Sequence, residues 1–205
     1  MTVQAPRARR GPYRKGIEQR QKMVEVAVEV FGQNGFKGGT LQQVADRVGL
    51  TPGAIMKLFG SKEGLLIAVL EHWGKATADV VGPDVRGYAL LEGFRRLMSY
   101  HVRHPGLLAL YTTMAAEATS PEHPAHDFMT ARYSTSLRDM RELFAEAATS
   151  GHFRPLSVQD IAHEAEFLLA TMDGLEIQFL LNRSFDLESS FRAYIDCLNE
   201  RLAPA

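Results

Sequence analysis

Between positions 40 and 63 the chain places hydroxyl, amide and basic side chains beside glycine and proline, a combination that suits binding rather than bond breaking. Thr40 and Gln43 have the spacing of a capping box at the start of a helix. Gly49 tolerates the left-handed backbone of a tight turn. Thr51, which precedes a proline, can cap a second helix. This order predicts a helix-turn-helix, the motif that places its second helix in the major groove of DNA.

The apolar positions agree with two short helices that cross at this turn. The first helix is expected to bury Val44, Ala45 and Val48, the second Ile55, Leu58 and Phe59, and Leu50 is expected to fill the turn. Ala45 is small enough for two helices to cross steeply beside it. The alternative is a tight pair of helices in any all-α protein, because short motifs of this kind give frequent false positives.

The distribution of charge favours DNA binding. Residues 1–62 contain eleven Lys and Arg against four Asp and Glu, a net charge of +7. Because the whole chain carries −1, the remaining residues carry −8. A basic end that neutralises phosphates, joined to an acidic body that does not bind them, is expected of a DNA-binding protein. For the first residues taken alone, a solvated basic tail without a partner is the alternative.

Composition limits the class of protein. The 205 residues suffice for one or two cores, and 45% of them are hydrophobic. The sequence has no apolar run as long as a membrane span and no apolar segment of a signal peptide near its start. We therefore expect a cytoplasmic location and no membrane partner. Cys197 is the only cysteine, which excludes an intrachain disulfide and a thiolate zinc site and predicts a small buried residue.

Helical periodicity without a period-2 strand pattern predicts an all-α fold of about nine helices. We expect a flexible basic arm at 1–15, a helix-turn-helix domain at 16–62 and a larger helical domain at 83–205. A helix over about 62–80 connects the two domains, and the Gly-Pro pair at 82–83 marks the boundary.

The residues from Ala27 to Leu70 resemble the N-terminal domain of TetR-family transcriptional regulators. The resemblance rests on the pattern AxxxFGxxGFxGxTLxxVAxxVGLTPGxIxxxFGSKEGLLxAVL, which this chain carries. It implies a sequence-specific DNA-binding transcriptional regulator: a homodimeric repressor that an unknown small-molecule effector releases from a palindromic double-stranded DNA operator. Neither a cofactor nor an enzyme activity is implied. The segments HPGLLALYTTMAAEAT and HPAHDF are similar to one actinobacterial subgroup of the family.

The resemblance also implies which residues contact DNA. Besides Arg14 in the basic arm, they are Thr40, Gln42 and Gln43 on the first helix of the motif and Thr51, Pro52, Gly53, Ala54, Met56 and Lys57 on the second. Lys62 matches the family's phosphate-binding lysine, and its place at a helix N-terminus suits an anion. A plain solvated lysine is the alternative for Lys62.

Two positions depart from the family pattern. Many members have tyrosine where this chain has Met56, and often histidine where it has Leu58. Methionine offers no hydroxyl to a phosphate, so both backbone contacts are in question. Base recognition is then expected to depend on Gln42, Gln43, Lys57, apolar contact with thymine methyls and the arm in the minor groove.

The resemblance assigns dimerisation and effector binding to the larger domain. The apolar helices at about 158–182 and 187–202 correspond to the family's dimerising bundle; a monomer with a thick core is the alternative. The side chains suited to an effector pocket are Met98, His101, Tyr111, Met114, Glu117, Met129, Tyr133, Phe167 and Met172. An ordinary core is the alternative for the same residues, and either an ion pair or an exposed position for Glu117.

A metal-responsive regulator is an alternative. It is suggested by His101, His104, His123 and His126, with Glu117 and Asp127, although no thiolate joins them and no metal site is assigned. A non-specific nucleoid-type protein would explain the basic end but not the acidic body. An enzyme is not expected, because no nucleophile elbow, phosphate-binding loop, dinucleotide fingerprint or HExxH motif is present.

Overall fold

The computed structural model describes residues 12–204, with the backbone alone for residues 12–15. Over that range the chain forms nine α-helices, one short 3-10 helix and no strand, which confirms the predicted all-α class. Residues 1–11 of the predicted arm lie outside the described range. Residues 12–15 belong to the first helix, which begins at Pro12 rather than at Gly16.

The helices are connected by short segments. They are α1 (Pro12–Gly38), α2 (Leu41–Val48), α3 (Pro52–Phe59), α4 (Lys62–Val81), a 3-10 helix (Gly87–Ala89), α5 (Leu90–Arg103), α6 (Pro105–Glu117), α7 (His126–Thr149), α8 (Val158–Leu181) and α9 (Leu187–Leu202). Two compact units result, Met1–Val69 and Leu70–Ala205, and α4 contributes residues to both. None of the helices within residues 12–204 has the length and apolar character needed to cross a membrane.

The first unit has the predicted helix-turn-helix. The hydroxyl of Thr40 accepts from the backbone N–H of Gln43, and the side chain of Gln43 accepts from the backbone N–H of Thr40 at 2.8 Å, so the capping box is complete. Gly49 adopts φ 70°, ψ 39° in the turn, and Thr51 caps α3 with Pro52 in its first turn. The motif thus has the local chemistry that the sequence predicted.

A small apolar core holds these helices together. It contains Met23, Val24, Ala27, Val30 and Phe31 of α1, Val44 and Ala45 of α2, Ile55 of α3, and Leu65, Leu66 and Val69 of α4, all of them buried. The prediction that α3 also buries Leu58 is wrong, since this side chain is 45% exposed. Ile55 and Phe59 are four residues apart and share the inner side of α3, whereas Leu58 is turned by about 100° from Phe59.

The second unit is built around α8 and α9. Their inward residues Leu168, Met172, Phe179, Phe191, Ile195, Leu198 and Leu202 are buried with residues of α5 and α7 in one core. Glu164 of α8 is buried too, and both oxygens of its carboxylate accept from the guanidinium of Arg201 of α9. The predicted burial of Cys197 is wrong: its side chain lies on the exposed face of α9.

The turn between α3 and α4 leaves no room for a side chain at Gly64. A Cβ atom built there would overlap the backbone carbonyl oxygen of Phe59. The Gly64 N–H donates to the hydroxyl of Ser61 at 3.0 Å, as expected if Ser61 caps α4. The same helix carries a second glycine, Gly74, at which a Cβ atom would meet no heavy atom within 4 Å.

We therefore expect opposite effects from two alanine substitutions in α4. Gly64→Ala should lower the free energy of unfolding by about 1–3 kcal/mol, because backbone must shift to accept the methyl group. Gly74→Ala should raise it by about 0.5–1 kcal/mol, since alanine restricts the unfolded chain and favours the helix. Urea denaturation followed by far-UV circular dichroism measures both, and equal effects would contradict the described turn.

Candidate nucleic-acid interface and small-molecule cavity

The side of α3 that faces away from the core of the first unit is open to solvent. Thr51, Gly53, Met56 and Lys57 are exposed, while Pro52 and Ala54 are half-buried. Met56 is 43% exposed and stands beside the equally exposed Leu58, so two large apolar side chains face water on a helix of eight residues. Such a surface can make apolar contacts with base methyl groups in addition to the charged contact that Lys57 offers.

The predicted contact residues of α2 are exposed but already hydrogen-bonded. The amide oxygen of Gln43 is used by the capping box, and the amide nitrogen of Gln42 donates to Asp46 Oδ1 at 2.6 Å. The hydroxyl of Thr40 caps the helix. These bonds hold the three side chains at the start of α2, and the Gln42 amide retains its carbonyl oxygen and a second N–H for another partner.

Lys62 lies at the first position of α4. Its ammonium donates to the backbone carbonyl of Lys37 at 3.3 Å and lies 4.6 Å from the ring centroid of Phe36. An ammonium has three donors, so this geometry fixes the charge at the helix N-terminus and leaves donors for an anion. Arg14 belongs to α1, but its side chain lies outside the described part of the chain.

Two cavities in the described part of the second unit share three lining residues. The first has a volume of about 460 Å³ and the second about 590 Å³. Both are lined by Tyr111 of α6 and by Asp173 and Glu176 of α8. Trp73, Thr77, His101 and Arg132 line the first cavity, and Met129 and Tyr133 line the second. Volumes of this size are typical of sites for small molecules.

A buried hydrogen bond joins two titratable residues of the first cavity. His101 Nδ1 lies 2.7 Å from Glu176 Oε1, and the two residues are 5% and 4% exposed. The imidazole stacks on the indole of Trp73 with a centroid separation of 5.0 Å and an interplanar angle of 15°. Since a carboxylate only accepts, Nδ1 carries the proton and donates it to Glu176.

A second bond holds Asp173. The hydroxyl of Tyr133 donates to Asp173 Oδ2 at 2.9 Å. Burial raises the pKa of Asp173 to about 6, an effect that the bond from Tyr133 opposes and the charge of Glu176 reinforces. Burial also raises the pKa of Tyr111 to about 12, against the neighbouring guanidinium of Arg132, and raises the pKa of Tyr133. Both phenols are therefore neutral donors at physiological pH.

The structure places the predicted pocket residues in several environments. His101, Tyr111 and Met172 line the first cavity, and Tyr111, Met129 and Tyr133 line the second. Met98 and Met114 are fully buried in the core and line neither cavity. Glu117 forms an ion pair with His123 at 3.5 Å, and Phe167 is 57% exposed on α8, away from both linings.

Sequence reasoning missed most of the lining of the first cavity, including Trp73, Asp173 and Glu176. The carboxylates had a signal, because they lie three residues apart in the otherwise apolar segment TMDGLEIQF and so share one face of a buried helix. Trp73 lies in the helix that was predicted to connect the two domains, and it was therefore not expected to line a pocket.

The structure does not bring the six candidate metal ligands together. His101 bonds to Glu176, His123 pairs with Glu117, and His104 and His126 each place Nδ1 2.8 Å from a backbone carbonyl oxygen. Within residues 12–204 no three His, Cys, Asp or Glu side chains are close enough to share a metal ion.

Comparison with known proteins agrees with this geometry. Residues 23–69 match the family model of the bacterial regulatory proteins of the tetR family. The HTH-type transcriptional repressor NicS of Pseudomonas putida is 32% identical over 127 residues, which cover 58% of this chain and 54% of that protein. The chain thus spans about half the length of the curated relatives it matches.

Two solved structures share the fold across most of the chain. A TetR transcription regulator from Haloarcula marismortui superposes with a TM-score of 0.79 at 16% identity and covers 91% of this chain and 98% of its own. A transcriptional regulator from Saccharomonospora viridis, solved in complex with choline, has a TM-score of 0.74 at 19% identity and covers 88% and 96%.

The fold and the capped motif define a class: an all-helical protein with an N-terminal helix-turn-helix and a larger helical unit. Together with the match over residues 23–69 and the similarity to curated repressors, they support a TetR-family transcriptional regulator, as the sequence indicated.

The half-buried carboxyl of Asp173 should make the stability of the second unit depend on pH. Because its folded pKa is about 6 and its unfolded pKa is about 4, the folded chain binds the additional proton between these values. The stability that this group contributes is therefore present below about pH 4 and is lost as pH rises through 6. Relative to Asp173→Asn, the wild type should lose about 2 kcal/mol between pH 4 and 7 in urea denaturation.

Tyr133→Phe is the matched variant for this prediction. It removes the hydroxyl whose hydrogen bond lowers the pKa of Asp173, so the midpoint of the pH dependence should move upward. Carboxyl carbon NMR of Asp173 in both proteins would follow the group directly. A midpoint near 4 in the wild type would contradict the burial of this carboxyl.

Proposed function

We propose that the chain is a DNA-binding transcriptional repressor that binds its operator as a homodimer and releases it when a small molecule occupies the second unit. The observation that carries this proposal is the helix-turn-helix of α2 and α3, whose outer face on α3 is open to solvent. In such motifs this second helix enters the major groove of DNA.

Charge and local geometry support the DNA-binding part. The basic residues are concentrated in the segment that forms the first unit, and residues 1–62 carry +7. Lys62 is held at the N-terminus of α4 by the carbonyl of Lys37, where ammonium and helix dipole attract the same phosphate. Phosphate contacts of this kind position a protein on DNA, and the side chains of α3 supply base recognition.

The relatives support the regulatory part. The protein from Pseudomonas putida is named a transcriptional repressor, and its similarity extends over 127 residues, beyond the helix-turn-helix alone. The solved protein from Saccharomonospora viridis holds choline, which shows that a member of this fold can accommodate a small molecule. We extend both properties to this chain as proposals.

An apolar stripe on α8 supports dimerisation. Phe167, Ala170, Gly174, Ile177 and Leu181 are spaced by three and four residues, so they lie along one side of the helix. Phe167, Ile177 and Leu181 are 57%, 44% and 83% exposed, and the small residues between them allow another helix to approach closely. Unlike the apolar residues of α9, which the core of this unit buries, these side chains are available to a second copy.

The helix α4 supports a route from ligand to DNA. The first cavity is lined by Trp73, Thr77, Ala78 and Val81 of α4, and the same helix begins with Lys62. A ligand that binds two arrangements of α4 with different affinity shifts the population between them. A difference of about 1–3 kcal/mol changes operator occupancy roughly 5–150-fold.

The function is tested by selecting bound sequences from a random double-stranded DNA pool with the full-length protein. We expect enrichment of a palindrome whose half-sites lie about one helical turn apart, roughly 34–36 Å, because a two-fold dimer presents two recognition helices. Binding that depends on salt but not on sequence would support a nucleoid-type protein and overturn the proposal.

Lys62→Met tests the phosphate contact on the selected operator. The variant should bind every DNA sequence more weakly and reduce the slope of log affinity against log salt by about one, because one phosphate contact is lost. Lys75→Met, which removes an exposed charge from the second half of α4, is the control and should leave the slope unchanged. Equal slopes for all three proteins would remove Lys62 from the interface.

The dimer is tested by placing a charge on the stripe of α8. Phe167→Glu should convert the protein to a monomer in analytical ultracentrifugation at micromolar concentration, because a carboxylate within an apolar interface loses its hydration. Val158→Glu is the control, since Val158 is 86% exposed on α8 but lies outside the stripe. A monomeric wild type would contradict the proposed dimer, and a dimer that survives Phe167→Glu would place the interface elsewhere.

A further inference from the structure

The lining of the first cavity contains more negative than positive side chains. Five carboxylates and three guanidinium groups face it, so the lining carries −2 when His101 is neutral. The arginines are Arg86, Arg132 and Arg138. Arg86 donates to the backbone carbonyls of Pro83 and Val85, Arg132 to the hydroxyl of Thr77 at 3.2 Å, and Arg138 to Asp139.

Within residues 12–204, no ion pair joins these guanidinium groups to Asp173 or Glu176, the two carboxylates of α8 in this lining. Over the described range of the chain, Asp173 receives its hydrogen bond from the neutral hydroxyl of Tyr133, and Glu176 receives one from His101 Nδ1. Neither bond supplies a full positive charge while the imidazole is neutral. A cation placed beside Asp173 would be stabilised by an interaction that the protein itself leaves unused.

A third acceptor in the same lining has no partner within residues 12–204. His101 is 5% exposed, and its Nε2 atom is buried without a hydrogen-bond partner. Because Nδ1 donates to Glu176, Nε2 of the neutral imidazole presents a lone pair. A buried acceptor without a donor is costly, so this atom identifies a position where a ligand N–H would bind favourably.

Aromatic rings complete the lining. The indole of Trp73 stacks with the imidazole of His101 and also with the phenol of Tyr111, the latter at a centroid separation of 5.9 Å and an interplanar angle of 30°. Aromatic faces attract organic cations and accommodate apolar groups. The cavity volume of about 460 Å³ exceeds what a single ammonium group occupies, so the ligand has room for an apolar body.

We propose that the first cavity binds a protonated primary or secondary amine that carries an apolar or aromatic body. Its N–H groups donate to Asp173 and to Nε2 of His101, and its body packs against Trp73 and Tyr111. A quaternary ammonium would retain the charge but has no N–H for the acceptors. A neutral alcohol leaves the charge of Asp173 uncompensated, and a carboxylate would be repelled by it.

The titration of Asp173 supports this assignment. Burial raises its pKa to about 6, and a cation bound beside it would lower the pKa again. Amine affinity should therefore increase as pH rises through 6 and level off above 7. The other titratable groups that line this cavity are His101, Tyr111, Glu176, Asp139, Glu142, Glu146, Arg86, Arg132 and Arg138, and Tyr133 bonds to Asp173 from the second cavity. Asp173 is the one whose ionisation the amine stabilises directly.

The proposal rests on the proposed function only for the role of the ligand as effector, so binding is measured first and without DNA. Trp73 is the only tryptophan of the chain, and its fluorescence reports on the cavity. The probes share one body: phenethylamine, phenethyl alcohol, 3-phenylpropionate and phenethyltrimethylammonium. We expect phenethylamine to quench saturably and to bind the full-length protein at least about tenfold more tightly than the other three.

Asp173→Asn should weaken phenethylamine binding by about tenfold or more, because the charge that holds the ammonium is lost. Glu166→Gln, which changes an exposed carboxylate of the same helix, should bind as the wild type does. If Asp173→Asn does not fold, the wild type still decides the question, since its affinity must fall as pH drops through 6. Isothermal titration calorimetry provides a signal independent of fluorescence.

Several results would overturn the proposal. They are the absence of saturable phenethylamine binding at millimolar concentration, equal or tighter binding of the alcohol, the carboxylate or the quaternary ammonium, and an affinity that is independent of Asp173 and of pH. The selected operator then separates the two proposals. An amine that binds the cavity but leaves operator affinity unchanged would refute its role as effector while confirming the chemistry of the cavity.

Discussion

The packing of the second unit depends on hydrogen bonds that replace the hydration of carboxylates inside a helical core. Glu176 is 4% exposed, and removing a carboxylate from water is tolerated only where hydrogen bonds replace hydration. His101 supplies such a bond, and Trp73 packs flat against the imidazole. This single contact joins α4, α5 and α8 within the second unit.

The helix α8 has two faces with different roles. Its inward face combines the buried Leu168, Met172 and Phe179 with Asp173 and Glu176 of the cavity. Its outward face carries the stripe from Phe167 to Leu181, which the proposed dimer would cover. A shift of α8 that changed the cavity would also change the surface offered to the second copy, because one rigid helix carries both sets of side chains.

The sequence was sufficient for the caps and the turn of the first unit and insufficient for the cavity. Caps, turn glycine and N-terminal proline act through bonds a few residues apart, so Thr40, Gly49 and Thr51 could be placed without tertiary information. Leu58 was misplaced because helical spacing does not give the width of the buried face of an eight-residue helix. Cys197 was misplaced because a residue type that is often buried gives no direction on a helix.

The cavity could not be predicted from local patterns, because it depends on contacts between residues that are distant in the sequence. His101 and Glu176 are 75 positions apart, and nothing in the local pattern of either residue indicates the other. Met98 and Met114 were predicted in the pocket for the same residue type as Met129 and Met172. They are nevertheless packed in the core and line neither cavity. Residue type suggests what a pocket can use, and only tertiary packing decides which side chains line empty volume.

The carboxylate of Asp173 makes the affinity of the proposed amine depend strongly on the distance between the two charges. At an effective dielectric constant of about 20, an ammonium 4 Å from a carboxylate is stabilised by about 4 kcal/mol, and at 6 Å by about 3 kcal/mol. A displacement of roughly 2 Å between α8 and the ligand therefore changes the binding free energy by about 1.4 kcal/mol, or tenfold in affinity. By thermodynamic linkage, the bound ligand stabilises the arrangement with the shorter distance by the same free energy. Since α4 lines the cavity and begins at Lys62, the proposed regulation needs only a small movement of this helix when the amine binds.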